Sequence, residues 1–190
     1  MITYISNDLK SIILDDNKCE KIPSRLSKFE IPPFLGCFIA DKTGKTILKF
    51  EIIENALEFF LKKDIVDEEK KNCIDIELIP MFISALERFS QEINIQDLAG
   101  FKLEGKNIKL QTFFDFEKYS IIFLLNPGVD IKLVESRIKT YFSFLFKVYD
   151  HEFKNFKKMS SIDYMSHLEL IGRIWLKDLN IIYLNMIKNH

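Results

Sequence analysis

Between residues 34 and 156 the apolar positions change period along the chain. The changes spell strand, strand, helix, strand, strand, strand, helix. Apolar residues two apart line one side of a strand, and residues three or four apart line one side of a helix. Phe34 to Ala40 is a short run of strand formers, and Thr46 to Ile52 alternates apolar against polar. Asp41-Lys42-Thr43-Gly44 between them supplies a glycine where a tight turn needs positive φ, so the segment reads as a hairpin. Glu54 to Lys63 fits a short helix. Leu78, Phe82, Leu86, Phe89 and Ile93 then follow one helical face, widened by Ile79 and Ile83, with Pro80 in the first turn.

The pattern returns to strands at residues 98–103, with a turn at Glu104 to Asn107. Ile108, Leu110, Thr112, Phe114 and Phe116 are expected on one face of the next strand, with Phe113 on the other. Tyr119 to Leu125 is wholly apolar from Ile121 onwards, as a strand covered on both faces is, and Asn126-Pro127-Gly128 stops it. Asp130 is expected to cap a helix running to about Phe156, with Val134, Ile138, Tyr141, Phe142, Leu145, Tyr149 and Phe153 at helical spacing. Phe144 and Phe146 fall off that stripe, so the helix is apolar over much of its girth and is buried on two sides or meets a partner. A last helix is expected after Ser160 or Ser161, carried by Leu168, Ile171, Trp175, Leu179 and Ile182, with Ile187 extending the row.

This order predicts an α+β fold, a five-stranded antiparallel sheet with helices packed on it. The organisation is expected in three parts. Residues 1–33 are an N-terminal extension, in which Asn7 caps a short helix bearing Leu9, Ile12 and Ile13 and Pro32-Pro33 ends the segment. Residues 34–158 are the domain. Residues 159–190 are a C-terminal helix packed on the domain or on a partner.

Composition narrows the function. With 47% hydrophobic and 29% charged residues the chain is an ordinary globular one. A net charge of −1 gives no general attraction to nucleic acid. Cys19, Cys37 and Cys73 are an odd number without a CxxC pair, which argues against a disulfide framework or structural zinc and fits a reducing cytoplasm. No apolar run is long enough to span a bilayer, and the N-terminus lacks the pattern of a signal peptide.

Four groupings invite a chemical reading. Thr43-Gly44-Lys45-Thr46 looks like the end of a phosphate-binding loop, but the required earlier glycine is Ile39 and a strand follows where a helix is needed; a hairpin turn explains it better. Asp64, Asp67, Glu68 and Glu69 lack calcium-loop spacing and lie among lysines, so they read as a solvated charge run. His151 and His167 have no accompanying nucleophile. Lys147, Lys154, Lys157 and Lys158 suit a helix C-terminus as well as an anionic membrane surface, so membrane association is at most peripheral. No residue earns a catalytic, cofactor-binding or metal-binding role, and no enzyme activity is expected.

The hairpin FLGCFIADKTGKTILKFEI, the helix IPMFISALERFSQEI, the meander LAGFKLEGKNIKLQTFFDFEKYSIIFLLNP and the helix IKTYFSFLFKVYDHEF together resemble the longin domain. The related roadblock fold shares a five-stranded sheet but usually begins with a helix, for which residues 5–19 are a candidate. The resemblance implies a non-enzymatic module that binds or regulates a small GTPase. It acts as a homodimer, with a related longin or roadblock subunit, or as an exchange-factor subunit in trafficking machinery. The alternative is a structural subunit of a coat, tether or adaptor complex. The expected interaction surfaces are residues 81–93 and an edge of the sheet. Phe82, Leu86, Phe89, Phe144, Phe146 and Trp175 are the candidate interface residues.

Overall fold

The structure, a computed structural model, describes residues 32–62, 65–67, 69, 71, 75–95, 98–156 and 162–188, with side chains of the last segment described from Ser166. The expected N-terminal extension up to Ile31, the Ser160 and Ser161 caps, and Asp64 and Glu68 of the acidic run lie outside the described residues.

Five strands form one antiparallel sheet: β1 (Phe34–Asp41), β2 (Thr46–Glu51), β3 (Gly100–Glu104), β4 (Lys109–Phe116) and β5 (Tyr119–Leu125), in the order β2-β1-β5-β4-β3. The last strand of the meander therefore sits beside the first strand of the hairpin. Ile121 to Leu125 are fully buried, which accounts for the unbroken apolar run of β5. Helices α1 (Ala56–Lys62) and α2 (Leu78–Glu92) precede β3. After β5 come a 3-10 turn (Ile131–Leu133), α3 (Glu135–Val148), α4 (Asp150–Asn155) and α5 (Ile162–Lys188). This is the expected α+β architecture, a five-stranded antiparallel sheet with helices packed on it.

The two faces of the sheet differ. One carries Cys37, Phe50, Phe113 and Phe123, since Cys37 pairs with both Phe50 and Phe123 across the strands. Helices α3 and α5 cover it with rings. Phe142 lies 6.0 Å from Phe123, and Trp175 lies edge-on to Phe50 at 6.3 Å. Tyr141 stacks flat on Trp175 at 3.9 Å. A Cβ on Gly172 would fall 2.5 Å from the Phe50 ring, so glycine lets α5 sit directly on β2. Asn180, fully buried, accepts from the Phe34 N–H at 2.8 Å and donates to the Phe34 carbonyl at 3.0 Å. It supplies partners to backbone beside the irregularity between Phe34 and Gly36. Tyr183 Oη accepts from the Asp130 N–H at 2.9 Å, tying the same helix to the loop after β5.

Two local expectations change. The strand β4 slips register between Phe113 and Phe116, so Phe116 does not continue the row of Leu110, Thr112 and Phe114. It turns to the opposite face and meets Phe142 and Phe146. The expected single helix from Asp130 to Phe156 is broken into three pieces. Asp130 does cap, but its carboxylate accepts from Lys132 N–H and so closes the 3-10 turn rather than an α-helix.

Candidate interaction surface

The other face of the sheet is covered by α1 and α2, and α2 is inverted relative to the usual amphipathic helix. Its buried residues are Pro80, Ile83, Ser84, Glu87 and Ser90. Its large apolar residues point outward: Leu78, Met81, Phe82, Phe89 and Ile93 are each more than half exposed. The helix does have the strong apolar face that its spacing predicts, and that face looks away from the sheet.

The reason lies in what α2 meets. It crosses the turn of the β1–β2 hairpin, where polar backbone needs partners. Ser84 Oγ donates to the Lys42 carbonyl at 2.8 Å. Glu87 accepts from Lys42 Nζ at 2.7 Å and from Ser120 Oγ at 3.3 Å. Glu77, just before the helix, accepts from Thr46 Oγ1 at 2.8 Å. Gly44 makes the crossing possible. It sits at φ +85°, and a Cβ there would lie 2.6 Å from the Met81 Cα. Asp41 organises the same turn by accepting from the Thr43 and Lys45 N–H groups. The phosphate-loop look of Thr43 to Thr46 is thus the signature of a hairpin turn seating a helix.

The C-terminus of α2 ends in a left-handed residue, Asn94 at φ +61°. Ile95 N–H returns to the Ser90 carbonyl and Asn94 N–H to the Gln91 carbonyl, the pairing of a Schellman motif. Ile95 is itself about half exposed, extending the apolar surface past the helix end.

Beside the polar seat is an open cleft of about 430 Å³ lined by Lys42, Thr43, Glu87, Arg88, Gln91 and Glu117. Its lining is mixed in charge and Lys42 is already committed to Glu87, so it does not present the apolar, convergent lining of a small-molecule site. Among the described residues no group of three metal-ligating side chains comes together. His151 and His167 are both exposed. Burial pushes the Cys37 thiol and the Tyr141 phenol up from their ordinary values, and both sit in the aromatic core.

The six candidate interface residues separate into two groups. Phe82 and Phe89 are exposed on α2 with Leu86 half-buried between them, and Phe144 is exposed on α3. Phe146 and Trp175 are engaged within the fold instead. Phe146 packs on Phe116, Tyr119 and Phe153, and Trp175 on Tyr141, Phe50, Phe123 and Phe142. The girth of apolar residues on α3 follows from the β4 slip, which carries Phe116 round to meet Phe146. Spacing alone missed Met81, which extends the outward face of α2. In the basic group, Lys154 pairs with Asp150, while Lys157 and Lys158 lie outside the described residues. No described helix is long and apolar enough to cross a membrane.

The sheet's two edges differ as well. The β2 edge has Ile47, Leu48 and Phe50 buried, and α5 lies on it. At the opposite edge, Lys102, Leu103 and Glu104 of β3 are exposed. Lys102 pairs with Glu104 at 2.5 Å and holds that carboxyl below the ordinary carboxylate range.

Fold and surface together describe a small α+β domain with an apolar helix face and, among the described residues, a sheet edge at β3 without a further strand. No protein-family model matches the chain, and no curated protein matches it. Among solved structures, MglB of Myxococcus xanthus is similar at 16% identity and a TM-score of 0.42, over 62% of this chain and 85% of that one.

Proposed function

We propose that this chain is a non-enzymatic protein-interaction module that binds or regulates a small GTPase through the outward face of α2. The observation that carries the reading is the inversion of α2. A helix seated by its polar residues with Phe82, Phe89, Met81 and Leu78 outward leaves a contiguous apolar surface of the kind protein partners cover. The longin-like order of elements selects the class of partner, because proteins of that type commonly engage small GTPases. The coat or adaptor reading relied on a free apolar stripe along the last helix. Within that stripe Leu168 and Leu179 are buried and Trp175 packs on Phe50 and Phe123 of the sheet, which weighs against that reading, while Ile187 at its end is exposed. The test is a titration of the full chain against small GTPases loaded with GDP or GTP. Binding that Phe89→Ser abolishes is expected. No binding in either nucleotide state, to any GTPase tried, would overturn the proposal.

A further inference from the structure

The helices on the aromatic side of the sheet have an outer surface of their own. Helices α3 and α5 lie side by side there, with Tyr141 of one stacked on Trp175 of the other. Each buries one stripe toward the sheet: Ile138, Phe142 and Leu145 from α3, Leu176 and Leu179 from α5. Their opposite stripes therefore look away from the sheet together. On α3 that stripe is Arg137, Phe144, Lys147 and Val148, all exposed. On α5 it holds Leu170 and Ile181, both exposed, with Lys177 between them.

Charge on this layer leans to the basic side. Glu135, Asp150 and Glu169 are each committed to a cation one turn further on, Lys139, Lys154 and Arg173. Arg137, Lys147 and Lys177 pair with no carboxylate among the described residues. Glu152 and Asp178 are unpaired too, but Asp178 is partly desolvated with no cation beside it, which raises its carboxyl above the ordinary carboxylate range. The layer on the other side of the sheet has the reverse balance. Residues 53–95 hold ten acidic and five basic side chains, whereas residues 130–190 hold seven and ten.

We propose that the outer surface of α3 and α5 rests on an anionic phospholipid bilayer. Phe144, Val148, Leu170 and Ile181 enter the headgroup boundary, and Arg137, Lys147 and Lys177 meet the lipid anions. Apolar side chains interspersed with unpaired cations are the composition of helices that lie in a membrane interface. A protein partner fits this surface less well. Its four apolar side chains are spread over two helices, without the close-set rings that α2 gathers, and a continuous negative surface can meet scattered cations at any spacing. The set also differs from the lysine group at 147–158. Lys154 of that group is tied to Asp150, so Lys147 is its one described member that is unpaired.

The arrangement has a consequence for α2. The sheet separates the two layers, so a chain lying on lipid by α3 and α5 turns the apolar face of α2 away from the bilayer and leaves it open to a partner. The proposal rests on the α3–α5 layer and is independent of the GTPase reading.

The test is co-sedimentation of the full chain with phosphatidylcholine vesicles, with and without about one-third phosphatidylserine, over a range of salt. Binding is expected to the phosphatidylserine vesicles alone and should fall as salt rises. Arg137→Glu and Lys147→Glu should each weaken it about tenfold. Phe144→Ser should weaken it while unfolding like wild type. Lys106→Glu, at the exposed β3–β4 turn, changes net charge equally and should leave vesicle binding as it is. No binding to either vesicle, equal binding to both, or a loss in Lys106→Glu as large as in Lys147→Glu would overturn the proposal. So would vesicle binding that Phe89→Ser abolishes and the α3 variants retain, since lipid would then lie on α2.

Discussion

The two helical layers of this domain use opposite parts of their sequences. On one face, α3 and α5 bury rings against rings: Phe142 and Trp175 pack with Phe50 and Phe123. On the other, α2 is held by Ser84 and Glu87 and keeps its rings outside. Both layers have amphipathic helices, and spacing alone treats them alike. What differs is the surface beneath. The aromatic face of the sheet needs apolar cover, whereas the surface beneath α2 offers the Lys42 carbonyl and ammonium and the Ser120 hydroxyl of β5, which need partners. Which stripe of a helix turns inward is set by the receiving surface as much as by the helix.

The comparison breaks most directly at Phe142, which is fully buried among six rings. Phe142→Ala removes that contact and leaves a cavity, and is expected to cost about 4 kcal/mol in urea unfolding. A loss as small as that of a surface residue would mean the aromatic layer is not the core.

Asn180→Leu comes next. It keeps the volume but leaves the Phe34 N–H and C=O buried without partners, an expected loss of about 3 kcal/mol. Hydrogen exchange should show the Phe34 amide opening more readily than the centre of β5. If Asn180→Leu is neutral, the strand start has another partner and the tie from α5 to β1 is dispensable.

Gly44→Ala probes the other layer. The φ of +85° and the 2.6 Å approach to Met81 together should cost about 2 kcal/mol, felt at the seat of α2. Exchange protection is expected to fall along α2 and to persist in α3 and α5. Uniform loss across the domain would show that the two layers are not separable.

Much of this architecture was legible in the spacing of residues. The hairpin turn around Gly44, the apolar run Ile121 to Leu125 of β5 and the meander follow from period two and turn chemistry, and they fix most of the sheet. Two features were not legible. The β4 slip between Phe113 and Phe116 inserts Asp115, whose carboxylate meets Lys139 at 2.6 Å, and a bulge leaves no mark in an apolar pattern. The orientation of α2 depends on Lys42 and Ser120, distant in sequence and joined only by folding. For the same reason Phe146 and Trp175 looked like interface residues: rings off a helical stripe are equally expected where a second helix or a shifted strand receives them.

The smallest expected effect on stability is also the one that separates the layers most clearly. Phe82→Ser and Phe89→Ser each remove a ring that is about half exposed, so unfolding free energy should change by no more than about 0.5 kcal/mol. Phe142→Ala, the same residue type in the opposite layer, sets the contrast. If α2 is a docking surface, these serine variants should unfold like wild type and yet lose binding to a GTPase partner, because rings at the centre of an interface carry much of its energy. The two readouts must diverge. A serine variant that loses stability as Phe142→Ala does would mean the α2 face is already covered within the chain, leaving no apolar surface for a partner. A variant that keeps both stability and binding would place the partner elsewhere, and Phe144 on α3 would be the next exposed ring to change.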